Sequence, residues 1–318
     1  MFKNDSVKVF APATIANFSC GFDIIGFAID DIGDTVEATI KSVNYKGNNN
    51  IIISNITGDD NVLSYDPLKN TAGITAKNFL KYLNINNIQI ELKIKKNMPI
   101  CSGLGSSAAS AVAAIKAINY LLNTNVSYEN MIPILMESEK VISGKNHADN
   151  VAPSLMGGIT IIRSYNPLDI IPIKCPIKIN CVIVYPLNLD LPTYYSRKIL
   201  KDYYPLKDIV NQLGNLASLI VGLMKGDINI ICKSMNDFII EPARSLLIPG
   251  YNNIKKNAID NGALGFSICG SGPSVFAIGI DNIKKIGQSI QKGFLKKNIK
   301  TKMLISNINN KGAKILVS

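Results

Sequence analysis

The segment Pro99-Ile100-Cys101-Ser102-Gly103-Leu104-Gly105-Ser106-Ser107-Ala108-Ala109 gathers small and hydroxyl-bearing residues between two very different stretches. Ahead of it, Ile-Gln-Ile-Glu-Leu-Lys-Ile-Lys at 88–95 alternates apolar and polar residues, which predicts a strand with one wet face. Behind it, an alanine-rich run predicts a helix over 106–122. Glycines let the backbone come close to a ligand and aim successive N–H groups at it, and the helix start adds the positive end of its dipole. An anion site is the expected result, with phosphate its usual occupant. The loop lacks the Gly-Lys-Ser/Thr ending of a Walker A motif. It does fit G-x-G-x-x-A from Gly103 to Ala108, with Glu129 where a ribose-binding acid would stand. The polar Gln89, Glu91, Lys93 and Lys95 argue against that reading, since dinucleotide-binding strands are buried on both faces. A plain glycine turn capped by serines is the structural alternative.

Other candidate groups lie apart in sequence. Gly270-Ser271-Gly272-Pro273-Ser274 forms a second small-residue turn that could line the opposite wall of one cleft. The stretch 137–150 holds Glu139, Lys140, Lys145, the chain's one histidine His147, Asp149 and Asn150. Glu139 could hold a magnesium ion, which commonly takes one or two carboxylates plus phosphates; Glu137 and Lys140 read as a solvated helix face. Near the start, Ala11-Pro12-Ala13-Thr14-Ile15-Ala16-Asn17 leads to Gly21-Phe22-Asp23, where an asparagine and an aspartate follow a strand. They could bind an amine or a hydroxyl, or simply make Asx turns. Arg197 and Arg244 are two of only three arginines in a lysine-dominated chain, and their planar forks suit a carboxylate or phosphate.

The elements needed to position these groups read as α+β. Strands are expected at 7–11, at 24–32 and 35–42 with Gly33-Asp34 as a turn between them, and at 51–56 and 88–95. Helices follow at 106–122 and from Ser127 to 141, with Ser127 as the cap, then a strand at 159–163 after Gly157-Gly158. Ser164-Tyr165-Asn166-Pro167 reads as the domain boundary, dividing the chain into 1–164 and 165–318. The second half carries strands at 180–185, 264–269, 275–280 and 301–305, and helices at 194–202, 207–225, 227–238 and 283–297. Strands mixed with helices in both halves favour α+β over a doubly wound α/β sheet.

Composition narrows the function. The chain has 318 residues, of which 47% are hydrophobic and 18% charged, so it can bury a core and is not a disordered tail. No apolar stretch reaches the ~20 residues of a membrane span, and Met1-Phe2-Lys3-Asn4-Asp5 leads into no signal core; no membrane association and a cytoplasmic location are expected. The six cysteines form no C-x-x-C pair, and one histidine cannot build a multi-histidine metal site. The net charge of +11 comes from dispersed lysines without an arginine-rich stripe, so no nucleic-acid partner is expected.

Taken together, these segments resemble the GHMP family of small-molecule kinases. Its marker loop, Pro-x-x-x-Gly-Leu-Gly-Ser-Ser-Ala, stands here at 99–108, and its later glycine-rich turn at 270–274. Four further segments resemble the branch whose acceptor is L-homoserine: 11–17 with Gly21-Phe22-Asp23, His147-Ala148-Asp149-Asn150-Val151-Ala152-Pro153, Glu241-Pro242-x-Arg244, and Thr193 with Arg197. The resemblance implies an N-terminal part like the second domain of ribosomal protein S5 and a ferredoxin-like C-terminal part. It implies ATP on residues 99–109, with Asn70 and Lys96 near the adenosine, and Mg²⁺ on Ser107 and Glu139. Asn17, Asp23, His147, Asn150, Thr193, Arg197 and Arg244 would form the acceptor pocket. There the arginines would take the carboxylate, Asp23 the amine and Asn150 the hydroxyl, so that Glu139, Asn150 and Arg197 carry the catalysis. The implied reaction yields O-phospho-L-homoserine, on the route to threonine, and the resemblance allows a homodimer. Ser19-Cys20 departs from the glycine many relatives carry before Gly21-Phe22-Asp23 but leaves the polar residues in place. Three rivals are another acceptor within the family, such as mevalonate, RNA binding by a basic S5-like protein, and a catalytically dead regulatory protein. The first two do not account for 147–153 or 241–244, and intact Ser107 and Glu139 disfavour the third.

Overall fold

The computed structural model describes residues 5–47, 50–144 and 146–317; Met1–Asn4, the Asn48-Asn49 pair, Lys145 and Ser318 lie outside it. The chain runs β1 (Ser6–Ala16), β2 (Ile25–Val43), β3 (Ile51–Thr57), α1 (Thr71–Tyr82), β4 (Ile88–Lys95), α2 (Ser106–Leu121), α3 (Tyr128–Ser143), α4 (Val151–Met156), β5 (Ile159–Tyr165) and β6 (Leu168–Ile173). It continues through β7 (Asn180–Pro186), α5 (Thr193–Lys198), α6 (Leu206–Lys225), α7 (Ile228–Ser234), α8 (Glu241–Arg244), a 3₁₀ turn (Ser245–Leu247) and α9 (Tyr251–Asp260). It closes with β8 (Gly265–Ile268), β9 (Val275–Ile278), α10 (Ile283–Leu295), β10 (Thr301–Asn307) and β11 (Lys314–Val317).

The first sheet has the order β11-β1-β2-β4-β3, with β5 pairing β2 and β6 pairing β5. Strand β4 behaves as its alternation predicts: Ile88, Ile90, Leu92 and Ile94 are buried, while Lys93 and Lys95 are exposed. Helix α2 lies on this sheet, packed along β1 and β2. Its alanines at 108, 109, 111, 113, 114 and 117 are all buried, so the helix axis can come close to the strands.

One expectation is overturned here. Residues 25–43 form one strand rather than two, and Gly33 and Asp34 pair with Pro12 and Ala11 instead of turning. The Asp34 side chain does not pair with water as a turn aspartate would; it is fully buried and occupied by hydrogen bonds from α2 and the residues after β4. Strand β5 forms a hairpin with β6 in the same sheet. Strand β11 then returns from the chain's end to pair with β1, so the first sheet draws on both halves of the sequence. Helices α1 and α9 and strands β6 and β11 carried no expectation. The helices foreseen over 194–202 and 227–238 stop at Lys198 and Ser234.

The second sheet, β10-β7-β9-β8, is antiparallel throughout and packs against α9 and α10 through Phe266, Phe294, Ile254, Ile286 and Ile290. The two sheets are joined by an aromatic cluster. Phe18, after β1, has its ring centre 4.5 Å from that of Phe27 on β2 in a tilted contact and 6.2 Å from that of Phe276 on β9 in an edge contact. Among the described residues, no helix is long and apolar enough to cross a membrane.

Candidate active site

The 99–109 loop is held from below by a buried ionic network. The Lys96 ammonium, directly after β4, pairs with Asp34 and donates to the Ser106 carbonyl (2.9 Å) and Ser110 Oγ (2.8 Å). Ser110 Oγ also donates to Asp34 Oδ2 at 2.9 Å. Two charges this deeply buried are tolerated because each is paired and hydrogen-bonded. The network ties β2, the end of β4 and the first turn of α2 into one rigid seat.

Above that seat the loop needs its glycines. Gly105 caps α2 with φ +67°, and a Cβ there would stand 2.1 Å from Thr14 Oγ1 and 2.9 Å from Asn150 Oδ1. Gly103, φ +83°, presses against the second glycine turn, where a Cβ would meet the Cys269 carbonyl oxygen at 2.2 Å. The two turns are also hydrogen-bonded, Ser274 N–H donating to the Ser102 carbonyl at 3.3 Å. The opposing small-residue walls expected from the sequence therefore meet. With glycine as the cap, no side chain bonds the first N–H groups of α2, and no acidic residue occupies its first turn. A helix end of this kind presents orphan N–H donors and a positive dipole to an anion.

A cavity of about 330 Å³ opens over this loop, lined by residues 100–108 and Ser110 together with Asn70 and Lys96. Pro99 and Ala109, grouped with them from the sequence, are not among its walls: the Pro99 carbonyl accepts from Ser102 Oγ, and Ala109 is buried. Asn70 spends its side chain as the cap of α1, accepting from Ala72 N–H and donating to the Ser64 carbonyl. Lys96 presents its stem at the cavity while its ammonium belongs to the network beneath.

One carboxylate and one hydroxyl meet on the cavity wall. Ser107 Oγ lies 2.6 and 2.7 Å from the two Glu139 oxygens. Burial pushes the Glu139 carboxyl above its usual range, opposed by the Ser107 hydroxyl and the Lys96 charge. No group of three or more His, Cys, Asp or Glu side chains suited to a metal occurs among the described residues.

The far end of the cavity gathers carboxylates and guanidiniums. The chain after β1 makes a tight loop with positive φ at Asn17, Phe18, Ser19 and Asp23. Asn17 shapes it, accepting from Asp23 N–H at 3.1 Å and donating to the Gly270 carbonyl at 3.0 Å. Gln212 on α6 anchors it by donating to the Cys20 carbonyl at 2.8 Å. Asp23 receives Arg197 on both oxygens, at 2.5 and 3.1 Å, and His147 Nδ1 lies 3.6 Å from it. Arg244 donates to the carbonyls of Gly270 (2.8 Å) and Ser196 (3.3 Å), and burial, then Arg197, lowers its guanidinium to about 10. Thr193 Oγ1 is 3.3 Å from Ser271 Oγ. Asn150 accepts from Thr14 Oγ1 at 2.8 Å. All seven residues expected for an acceptor thus face one cavity with the glycine loop.

Sequence reasoning left three contributors out of the site. Asp149 is 3% exposed and lines the cavity, yet its Oδ1 has no hydrogen-bond partner. Burial and the nearby Asp23 raise its carboxyl to about 7, against the pull of Arg197 and Arg244. The sequence marks it only as a polar residue of the 137–150 stretch and a member of the 147–153 segment. Asp34 was hidden by its turn-like Gly33-Asp34 context. Phe22 lies 5.0 Å from both the Arg197 and Arg244 guanidinium carbons, a contact no local pattern announces. Ser127, the expected hydroxyl cap of α3, makes no side-chain cap bond, and Glu129 is exposed and is not among the cavity's walls.

Comparison with known proteins agrees with this geometry. The signature of the GHMP kinases N terminal domain matches residues 70–158, and that of the GHMP kinases C terminal domain matches residues 219–294. A homoserine kinase of Chlorobium phaeobacteroides is 42% identical over 98% of this chain and 99% of its own. The homoserine kinase of Arabidopsis thaliana is 38% identical over 98% of this chain and 85% of its own. The crystal structure of a homoserine kinase from Cytophaga hutchinsonii superposes with a TM-score of 0.92, at 45% identity and 99% coverage of both chains. An L. major mevalonate kinase, at 15% identity and TM-score 0.73, shares the fold. With both family signatures present and such relatives matching nearly its whole length, the chain whose glycine loop sits on a buried ion pair belongs to the homoserine kinase branch of the GHMP kinase family.

Proposed function

We propose that this protein transfers the γ-phosphoryl group of ATP to the side-chain hydroxyl of L-homoserine, giving ADP and O-phospho-L-homoserine. The observation that carries this reading is the sharing of one cavity by the glycine loop and the Asp23–Arg197–Arg244 cluster. A phosphate donor and a small amino acid can meet there. The near relatives named above point to the same acceptor.

Phosphoryl transfer asks the protein mainly for positioning and for neutralisation of charge. The orphan N–H groups of α2 meet the phosphates, held in place by Lys96 and Asp34. Ser107 and Glu139 supply hard oxygen donors next to that helix end, which suits Mg²⁺, an ion that takes few protein ligands and completes its shell with phosphate and water. Bound there, the ion would offset the charge of the phosphates. Arg244, whose partners are neutral carbonyls, keeps its charge for the acceptor carboxylate, with Arg197 beside it. Asp23 and Asp149 face the ammonium. Asn150 has its Oδ1 engaged by Thr14, which leaves the amide N–H₂ to donate to the acceptor oxygen and hold it in line. No carboxylate is assigned as the base for that hydroxyl; the proton leaves late, to phosphate or water.

The test is ADP release by the purified protein with ATP and Mg²⁺, comparing L-homoserine, L-threonine, L-serine, mevalonate and galactose. Turnover with L-homoserine alone is expected. Turnover with mevalonate or galactose instead would overturn the acceptor pocket and keep the fold.

A further inference from the structure

We infer that Phe22 is a positioning residue that sets carboxylate selectivity by holding the Arg197 and Arg244 guanidiniums together against one aromatic ring. The inference rests on the acceptor reading above and goes beyond it in naming what builds the carboxylate site.

Two cations that converge on one ligand group repel each other, and that repulsion grows as water is removed. Arg244 is 2% exposed and Arg197 half-buried, so neither can shed its charge into solvent. Asp23 neutralises Arg197 with both oxygens. No carboxylate stands within ion-pair distance of Arg244 among the described residues; its hydrogen bonds go to two backbone carbonyls. What the two arginines share is Phe22, whose ring centre lies 5.0 Å from each guanidinium carbon. An aromatic face attracts a desolvated cation without offering it an anion. That distinction matters to function. A second carboxylate in this place would neutralise Arg244 and compete with the ligand, whereas a ring steadies both forks and leaves their charge available. Asp23, Arg197 and Arg244 line the cavity and Phe22 does not, so it acts through the arginines rather than on the ligand. The ring is itself fixed by the constrained 17–23 loop, which Asn17 and Gln212 hold.

The experiment compares wild type, Phe22→Leu and Phe22→Tyr, using L-homoserine and its carboxamide as acceptors. Phe22→Leu is expected to raise KM for L-homoserine about tenfold, with kcat and KM for ATP within twofold of wild type. KM for the uncharged carboxamide should stay within twofold. Phe22→Tyr, which keeps a ring face, should restore wild-type KM. An equal rise for acid and amide, or no rescue by tyrosine, would reduce Phe22 to wall packing and overturn the proposal. A second measurement is independent of the acceptor. Phenylglyoxal labelling followed by peptide mass, with exposed Arg163 as the internal reference, should proceed several-fold faster at Arg244 in Phe22→Leu. Unchanged labelling would refute the positioning role. Accelerated labelling without any turnover of L-homoserine by wild type would leave Phe22's hold on the arginines standing and remove the acceptor assignment.

Discussion

Asp149→Asn tests the electrostatics of the pocket most directly. The substitution preserves shape and removes one ionisation. Asp149 faces Asp23, Arg197, Arg244 and Tyr165, and burial together with Asp23 raises its carboxyl from 3.8 to about 7. A carboxyl raised on folding gives full stability below its unfolded pKa and loses it as pH climbs through the folded value. Between pH 5 and pH 8 the added cost of ionising Asp149 amounts to about two pKa units, or roughly 2–3 kcal/mol at about 1.4 kcal/mol per unit. Urea unfolding at the two pH values measures it. Relative to wild type, Asp149→Asn should gain roughly 2–3 kcal/mol of stability on going from pH 5 to pH 8. Saturating L-homoserine should close part of that gap at pH 8, because an ammonium in the pocket compensates the wild-type carboxylate. Stability curves that run parallel across this range, with and without the amino acid, would refute the assignment of Asp149 to a desolvated, charge-coupled site.

Further expectations follow from the same geometry. Asn150→Ala should lower kcat at least tenfold while ATP affinity, measured by calorimetry, is unchanged; unaltered turnover would remove Asn150 from the mechanism. Asp34→Asn leaves the Lys96 ammonium buried without its partner and should destabilise the fold by about 3–5 kcal/mol in urea unfolding. Gly105→Ala places a Cβ 2.1 Å from Thr14 Oγ1 in a left-handed conformation, so ATP binding should fall more than tenfold. Glu139→Gln should raise the Mg²⁺ concentration needed for half-maximal turnover several-fold, with little change in KM for L-homoserine at saturating metal.

The glycine loop and its supports are readable in different degrees. Residues 88–95 and 106–121 were legible because burial of one face imposes a period of two on the strand, and close packing on a sheet fills the helix with alanine. The 99–109 segment announced an anion site because glycines followed by a helix start have few other uses. Local signals failed where a residue's partner is remote. Gly33-Asp34 carries turn chemistry in its types, yet 62 residues separate Asp34 from Lys96, whose charge draws it into the core. Likewise, β11 completes a sheet begun at β1, and a strand that pairs across the whole chain leaves no local mark at either end.

The sequence by itself determined the α+β class and singled out the glycine loop and the polar groups proposed for the acceptor, since each depends on periodicity or on residue type within a short window. The tertiary structure alone decided how those groups are spent. It committed Lys96 to Asp34 and Asn17 to loop geometry, left Arg244 its charge, set both arginines against Phe22, and buried Asp149 without a partner for Oδ1. The reason is physical: an ionisable side chain's chemistry is set by its desolvation and by the charges around it, and both come from segments far away in the chain.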